Sequence, residues 1–116
     1  MKKDLKEEFV RLTLRYIEGI ENGPMSKSHA AHKRIQMLCK SICESEDKGN
    51  AFFSELITHA EPAVRLAAAT FLYLSDQARA IAEFQALKKA EQSSISMAAV
   101  GNLWWIERGE FQITFD

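Results

Sequence analysis

Apolar residues recur at helical spacing along most of the chain. In the first segment Leu5, Phe9, Leu12, Tyr16 and Ile20 follow one another at intervals of three or four residues, which places them on one face of a helix. Glycine and proline, the residues that most often interrupt helices, number only 5 and 2 in 116 residues. The pattern predicts six helices, at residues 4–20, 26 or 28 to 44, 51–59, 62–74, 77–90, and 93 or 94 to 108.

Residues typical of helix ends lie at several of these boundaries. Asp4 is suited to cap the first helix, with Glu7 three residues later as its capping-box partner, and the run 22–24 (Asn-Gly-Pro) ends it. Asp76 is suited to cap the fifth helix, and Gly109 follows the sixth. After that glycine, residues 111–115 alternate apolar and polar, which predicts a short extended tail lying across a groove.

The fourth predicted helix lies in the most apolar stretch, His59–Leu74. Pro62 suits its first turn, because the missing N–H has no helical partner there and the φ angle is already set. From Val64 onward nearly every side chain is apolar. A helix with that composition is expected to be buried on most of its circumference.

A weak internal repeat relates the fourth and sixth helices. Residues 64–69 (VRLAAA) align with 95–100 (ISMAAV) at an offset of 31, and residues 72–74 then align with 103–105. A period of this length with two helices per unit is typical of α-solenoids, in which each helix pair is buried by its neighbours. The predicted fold is therefore all-α, an α–α superhelix of three antiparallel helix pairs forming one domain over residues 1–116.

The turn into the fourth helix carries a recognisable motif. His59-x-Glu61-Pro62-x-Val64-Arg65-x-x-Ala68 resembles the inter-helix turn and second helix of a HEAT repeat. The resemblance implies that Arg65 braces the turn. The chain is also similar to small bacterial HEAT-like domains, some of which resemble immunity proteins that neutralise toxins delivered by rival bacteria.

Composition favours a globular protein of the cytoplasm. The hydrophobic and charged fractions, 47% and 27%, are ordinary for a soluble domain, and no apolar run approaches the roughly 20 residues that span a bilayer. The first residues include lysines but no apolar segment behind them, so a secretory signal is not expected. Cys39 and Cys43 lie four residues apart in a helical pattern, a spacing that does not suit a disulfide, so two free thiols are expected.

Few residues suggest catalysis or metal binding. His29 and His32 share one helix with the two cysteines, but the seven residues between His32 and Cys39 correspond to about 10 Å of helical rise. That is too far for one tetrahedral zinc ion. The chain has no glycine-rich phosphate loop, nucleophile elbow or His-Glu-x-x-His pattern. We therefore expect no metal, no cofactor and no enzymatic activity.

Charge and aromatic residues indicate a surface that binds another protein. Residues 1–40 carry nine basic and five acidic side chains (net +4), whereas residues 41–116 carry six basic and eleven acidic ones (net −5). Trp104 and Trp105 point about 100° apart on a helix, so one ring is expected to pack inside while the other lies under the tail residues Phe111, Ile113 and Phe115, or alternatively at a protein interface. The predicted partner-binding residues are Tyr73, Asp76, Trp104, Trp105, Glu107 and Glu110.

The predicted function is that of an immunity protein which binds a basic, nuclease-type toxin domain and blocks it sterically and electrostatically. One alternative is a nucleic-acid-binding module that uses the basic residues Lys2, Lys3, Lys6, Arg11 and Arg15 of the first helix. Interleaved acidic residues such as Glu7 and Glu8 favour an ordinary charged helix face instead. A structural adaptor is the other alternative.

Overall fold

The computed structural model describes residues 4–113 and 115, and in this part of the chain it contains six α-helices and no β-strand. The all-helical prediction is confirmed. Residues 110–113 after the last helix belong to neither helix nor strand. The helices are α1 (Leu5–Asn22), α2 (Met25–Cys43), α3 (Asn50–Leu56), α4 (Pro62–Leu72), α5 (Gln77–Leu87) and α6 (Ser93–Glu107).

Side-chain caps fix the starts of α1 and α5 where the sequence predicts them. The Asp4 carboxylate accepts from the backbone N–H groups of Lys6 and Glu7, at 3.0 and 3.3 Å. Asp76 accepts from the N–H of Arg79 at 3.1 Å. Each bond satisfies an N–H group that has no partner within its own helix, so these two boundaries are determined locally.

Helix α3 ends at Leu56, three residues before the predicted end. The following amides bond three residues back, as Thr58 N–H does to Glu55 O (3.3 Å) and His59 N–H to Leu56 O (3.1 Å). The Thr58 hydroxyl also donates to Glu55 O at 2.7 Å. These tighter bonds end the helix because they occupy carbonyls that a further α-helical turn requires.

The loop between α2 and α3 is organised by Asp47. Its carboxylate accepts hydrogen bonds from the backbone N–H of Ala51 and Gly49 and from the Ser45 hydroxyl. These bonds, the one from Ala51 foremost, hold the pKa of Asp47 below its usual range. Lys48 and Gly49 then take left-handed backbone conformations, with φ of 56° and 79°, which turn the chain into α3.

Helix α4 is the central element of the fold, because it packs against α1, α3, α5 and α6. Val64, Ala68, Ala69 and Leu72 have no exposed surface. The prediction that this helix is buried on most of its circumference is confirmed.

Arg65 braces the turn before α4. One guanidinium nitrogen (Nη1) donates to the carbonyl oxygens of His59 and Ala60, at 2.8 and 3.0 Å. Nε lies 3.4 Å from a carboxylate oxygen of Glu83, so the same side chain also ties α4 to α5. Glu61, the acidic residue of the motif, starts the helix without a side-chain cap.

Equivalent positions 31 residues apart are buried alike in the pairs α3–α4 and α5–α6. The N-cap residues Glu61 and Gln92 are themselves 31 apart, so α4 and α6 begin in register. The equivalence extends to the preceding helices, where it was not predicted from the sequence. The matched pairs, each at most 5% exposed, are Phe53 and Phe84, Leu56 and Leu87, Val64 and Ile95, and Ala68 and Ala99.

The first pair, α1 and α2, packs unusually closely. A Cβ atom at Gly19 would lie only 2.7 Å from the backbone nitrogen of Ser28, so the two helices approach each other at this glycine. The predicted apolar stripe lies within α1, and Phe9 and Leu12 in its middle are buried. Leu5 and Ile20, at its ends, are 46% and 40% exposed.

The two cysteines are free thiols, as predicted. Cys39 is fully buried in the core, and this burial, together with the neighbouring Cys43, raises the pKa of its thiol strongly. Burial alone raises the pKa of Cys43 to about 11. Both groups are protonated at neutral pH, which makes them weak nucleophiles.

Candidate partner-binding surface

Helix α6 is apolar on two opposite sides, and only one of them is covered. Ile95 and Ala99 are completely buried against the rest of the domain. Met97, Val100 and Trp104 are 72%, 49% and 49% exposed. Since these three residues are spaced at i, i+3 and i+7, they form one exposed apolar stripe along the helix.

The two tryptophans lie at the end of this stripe, and both are about half exposed. Their ring centroids are 4.8 Å apart and the rings are nearly perpendicular, at 80°. The guanidinium carbon of Arg108 lies 4.7 Å from the centre of the Trp104 ring, a cation–π contact. Trp105 is 45% exposed, so the expectation that one of the two rings packs inside is wrong.

The C-terminal tail covers a different part of the molecule. Phe111 packs edge-on against Tyr73 (4.9 Å between centroids) and against Phe84 (6.3 Å). Phe115 stacks on Phe71 with a centroid distance of 5.8 Å. The tail therefore seals the C-terminal end of α4 and its neighbour α5 and leaves the Trp104–Trp105 pair uncovered.

The six predicted partner-binding residues fall into two groups. Tyr73 and Asp76 lie between α4 and α5, where Phe111 partly covers Tyr73 and Asp76 is engaged as the cap of α5. The other four, Trp104, Trp105, Glu107 and Glu110, lie at or just beyond the end of α6. A Glu110 carboxylate oxygen is 3.6 Å from Arg108 Nε, so part of the local negative charge is neutralised.

A shallow groove between α5 and α6 adds residues that sequence reasoning did not single out. Trp104 and Glu107 line it together with Ile81, Gln85 and Lys88. The exposed apolar residues Met97 and Val100 were also missed. The sequence repeat could have indicated Met97 and Val100, because they align with Leu66 and Ala69 of the buried helix α4.

We call the exposed set Met97, Val100, Trp104 and Trp105, with the flanking charges Glu107, Arg108 and Glu110, the α6 face. Its apolar part has the composition of an interface core, since aromatic residues and methionine are enriched there. The flanking charged residues are exposed and can contribute a polar rim.

Two of the basic residues proposed to bind nucleic acid, Lys6 and Arg11, form ion pairs within the domain. Lys6 forms an ion pair with Glu55 of α3, and Arg11 donates to Glu8 at 2.7 Å. Lys2 and Lys3 lie outside the described residues. The pairing reduces the positive charge available to bind phosphates, so this observation weighs against the nucleic-acid alternative.

A second concave feature lies on the side where α1, α2, α4 and α6 meet. It is a cleft of about 370 Å³, lined by α1, α2, α4 and α6. Ala67 and Ala98, which are equivalent in the repeat, both line it, and their small side chains leave the space open. The lining residues include no Asp, Glu, Lys or Arg, only apolar side chains and polar ones such as Tyr16, His32 and Gln36.

Comparison with protein-family models, curated proteins and solved structures found no match to this chain. Within the described residues, no group of three or more His, Cys, Asp or Glu side chains is placed to bind a metal ion. In the same part of the chain, no helix has the length and apolar character required to cross a membrane.

Proposed function

We propose that this chain is a non-catalytic cytoplasmic protein-binding module of HEAT-like α–α superhelix architecture, and that it binds its partner through the α6 face. The observation that carries the proposal is the exposure of Met97, Val100, Trp104 and Trp105 on one helix. Scattered exposed apolar residues are normal on a protein surface, but a contiguous patch with two large aromatic rings is typical of an interaction site.

The repeat explains why this face is apolar. Leu66 and Ala69 of α4, and Tyr73 just after it, are buried or partly buried. Their equivalents 31 residues later, Met97, Val100 and Trp104, are exposed. In a solenoid each unit buries the face of the preceding one, and the outer face of a terminal unit is normally polar. Within the described residues no helix covers the equivalent face of α6, so this apolar face is suited to binding another protein.

The partner we propose is a basic toxin domain of the nuclease type, which makes the chain an immunity protein. Residues 41–116 carry a net charge of −5, and Glu107 and Glu110 flank the exposed tryptophans. Negative charge around an aromatic core speeds encounter with a basic partner, while the buried rings supply affinity. Blocking would be steric, by occupation of the partner's surface.

Capture from cells of the source organism tests this proposal. Tagged wild-type protein, a Trp104→Ala, Trp105→Ala double variant and a Met37→Ala control are used as baits. Met37 is 66% exposed on α2 and therefore controls for loss of an exposed apolar side chain elsewhere. We expect one protein to be retained by the wild type and the control and lost by the double variant. Expressed alone that protein should stop growth, and co-expression with this chain should restore it.

Two results would contradict the proposal. Equal retention by all three baits would exclude the α6 face as the binding surface. A retained protein that does not affect growth would exclude the immunity role and leave the adaptor role.

Charge reversal at the rim tests the electrostatic part separately. Glu107→Lys combined with Glu110→Lys should lower the association rate with the captured protein about tenfold at low salt, and much less at high salt where the charges are screened. Glu44→Lys with Glu46→Lys makes the same net charge change at exposed positions next to α2. Association rates can be measured by stopped-flow or biosensor kinetics. Equal association rates for the two double variants would show that the position of the charges at the rim of the α6 face has no effect on association.

A further inference from the structure

The cleft between α1, α2, α4 and α6 has the properties of a small-molecule site. Its volume of about 370 Å³ lies within the usual range for ligand pockets, and its wall is mostly apolar with a few polar groups. The aromatic rings of Tyr16 and His32, whose centroids are 5.7 Å apart, border it on the α1–α2 side. None of Met97, Val100, Trp104 and Trp105 lines it, so it is distinct from the α6 face.

Hydrogen bonds link the end of α1 to the start of α6 beside the cleft. Glu21, at the end of α1, accepts from the Gln92 amide at 2.6 Å and from the Ser94 hydroxyl at 3.1 Å. Ser94 itself lines the cleft, as does Ile20, the residue before Glu21. The space is thus formed in the folded chain before any ligand binds, as is usual for small-molecule sites.

Two polar side chains in the cleft wall carry buried oxygen atoms with no hydrogen-bond partner within the described residues. They are the Thr13 hydroxyl and the Gln36 amide oxygen. The Gln36 nitrogen lies 3.4 Å from His32 Nε2, which leaves its oxygen as a free acceptor. Both residues line the cleft, so a ligand reaches either oxygen only after that side chain has rotated. Unpartnered buried polar atoms are costly, so a ligand that satisfies them gains affinity.

We propose that this cleft binds an uncharged, mainly apolar small molecule that carries a single hydroxyl or amide N–H group. The apolar body fills the space between Leu66, Ile95 and Ala98. The hydroxyl or N–H group donates to Gln36 Oε1 or bonds to Thr13. Charged molecules are disfavoured, because the lining contains no Asp, Glu, Lys or Arg to replace the lost hydration.

Three matched probes test this chemistry in NMR titrations of the ¹⁵N-labelled full chain. 2-Naphthol is uncharged at neutral pH and carries a hydroxyl, 2-methoxynaphthalene has the same ring system without a donor, and 2-naphthoate is an anion. We expect 2-naphthol to shift amide signals of cleft residues with a Kd of roughly 0.1 mM, within the usual affinity per atom for so small a ligand. The methyl ether should bind about tenfold more weakly, and the naphthoate should not bind.

Variants locate the site. Ala98→Phe fills the cleft and should abolish binding, whereas Ala86→Phe, at an exposed position on α5, should leave it unchanged. Thr13→Val keeps the side-chain shape and removes the hydroxyl, so it should reduce the preference for naphthol over the ether. Melting curves check that each variant is folded.

The proposal is wrong if 2-naphthol causes no shifts at millimolar concentration, or if its shifts cluster at Trp104 and Trp105 and persist in Ala98→Phe. Equal affinity for 2-naphthol and its ether in the wild type would overturn the predicted need for a hydrogen-bond donor.

Discussion

Replacement of Phe53 by alanine is expected to lower the free energy of unfolding by about 4 kcal/mol, the usual cost of removing a large buried ring. Phe53 is fully buried and its ring contacts three other phenylalanines. Its centroid lies 5.8 Å from Phe9, 5.1 Å from Phe52 and 5.5 Å from Phe71. These rings belong to α1, α3 and α4, so the cavity opens where three helices meet and cannot close by movement of one of them.

Urea unfolding followed by circular dichroism measures this loss. Phe52→Ala is the matched control, because Phe52 is adjacent and only partly buried, and it should cost clearly less. If Phe53→Ala leaves too little stability for a folded baseline, Phe53→Leu gives a smaller and measurable decrease. Equal losses at the two positions would contradict the placement of Phe53 at the centre of the core.

Gly19→Ala is expected to destabilise the protein by about 3 kcal/mol, at the upper end of overpacking costs. An added Cβ would lie 2.7 Å from both Ser28 N and Ser28 Cβ, and 2.9 Å from Ser28 Cα. Two of these atoms are backbone, so no side-chain rotation relieves the clash, and α1 must move away from α2.

Gly101→Ala is the internal control for Gly19→Ala, and it is expected to stabilise the protein. Gly101 lies in α6, and an added Cβ there has nothing within 4 Å. Alanine favours a helix over glycine, so this variant should gain about 0.5–1 kcal/mol. Parallel thermal or urea unfolding checks both variants. A Gly19→Ala protein as stable as the wild type would show that α1 and α2 are not in close contact at this point.

The starts of α1 and α5 were predictable from the sequence because local groups determine them. Asp4 and Asp76 satisfy amide groups only two or three residues away, so the information is contained in a few adjacent letters. The end of α3 was not predictable, because it depends on Thr58 and on tighter backbone bonds that compete with a continuing helix.

The sequence repeat correctly predicted several pairs of positions in α4 and α6 that are equally buried. It did not predict which positions of α6 are exposed. Val64 and Ile95 are both fully buried, yet Ala69 is buried while its equivalent Val100 is half exposed. The difference depends on which helix packs outside each position, and that is tertiary information. For the same reason the sequence did not determine whether the two tryptophans are buried. The tail packs on Phe71, Tyr73 and Phe84 and does not cover the tryptophans.

No pattern in the sequence predicted the cleft between α1, α2, α4 and α6. Its small residues Ala67 and Ala98 are direct neighbours of Ala68 and Ala99, which are fully buried. A helical alanine leaves a cavity or permits a contact according to the distance of the opposite helix. Thr13 and Gln36 likewise gave no signal, because an unpartnered oxygen is recognisable only when its surroundings are known.

The affinity of the α6 face for its partner tests the central claim most directly. Isothermal titration of the captured protein with wild type, the Trp104→Ala, Trp105→Ala double variant and Met37→Ala gives three dissociation constants under one set of conditions. Buried aromatic anchors each contribute about 2 kcal/mol, or about 4 kcal/mol for the pair, so the double variant should bind about 1,000-fold more weakly, with Met37→Ala unchanged. A double variant that binds within about threefold of the wild type would contradict the assignment of the α6 face as the binding surface.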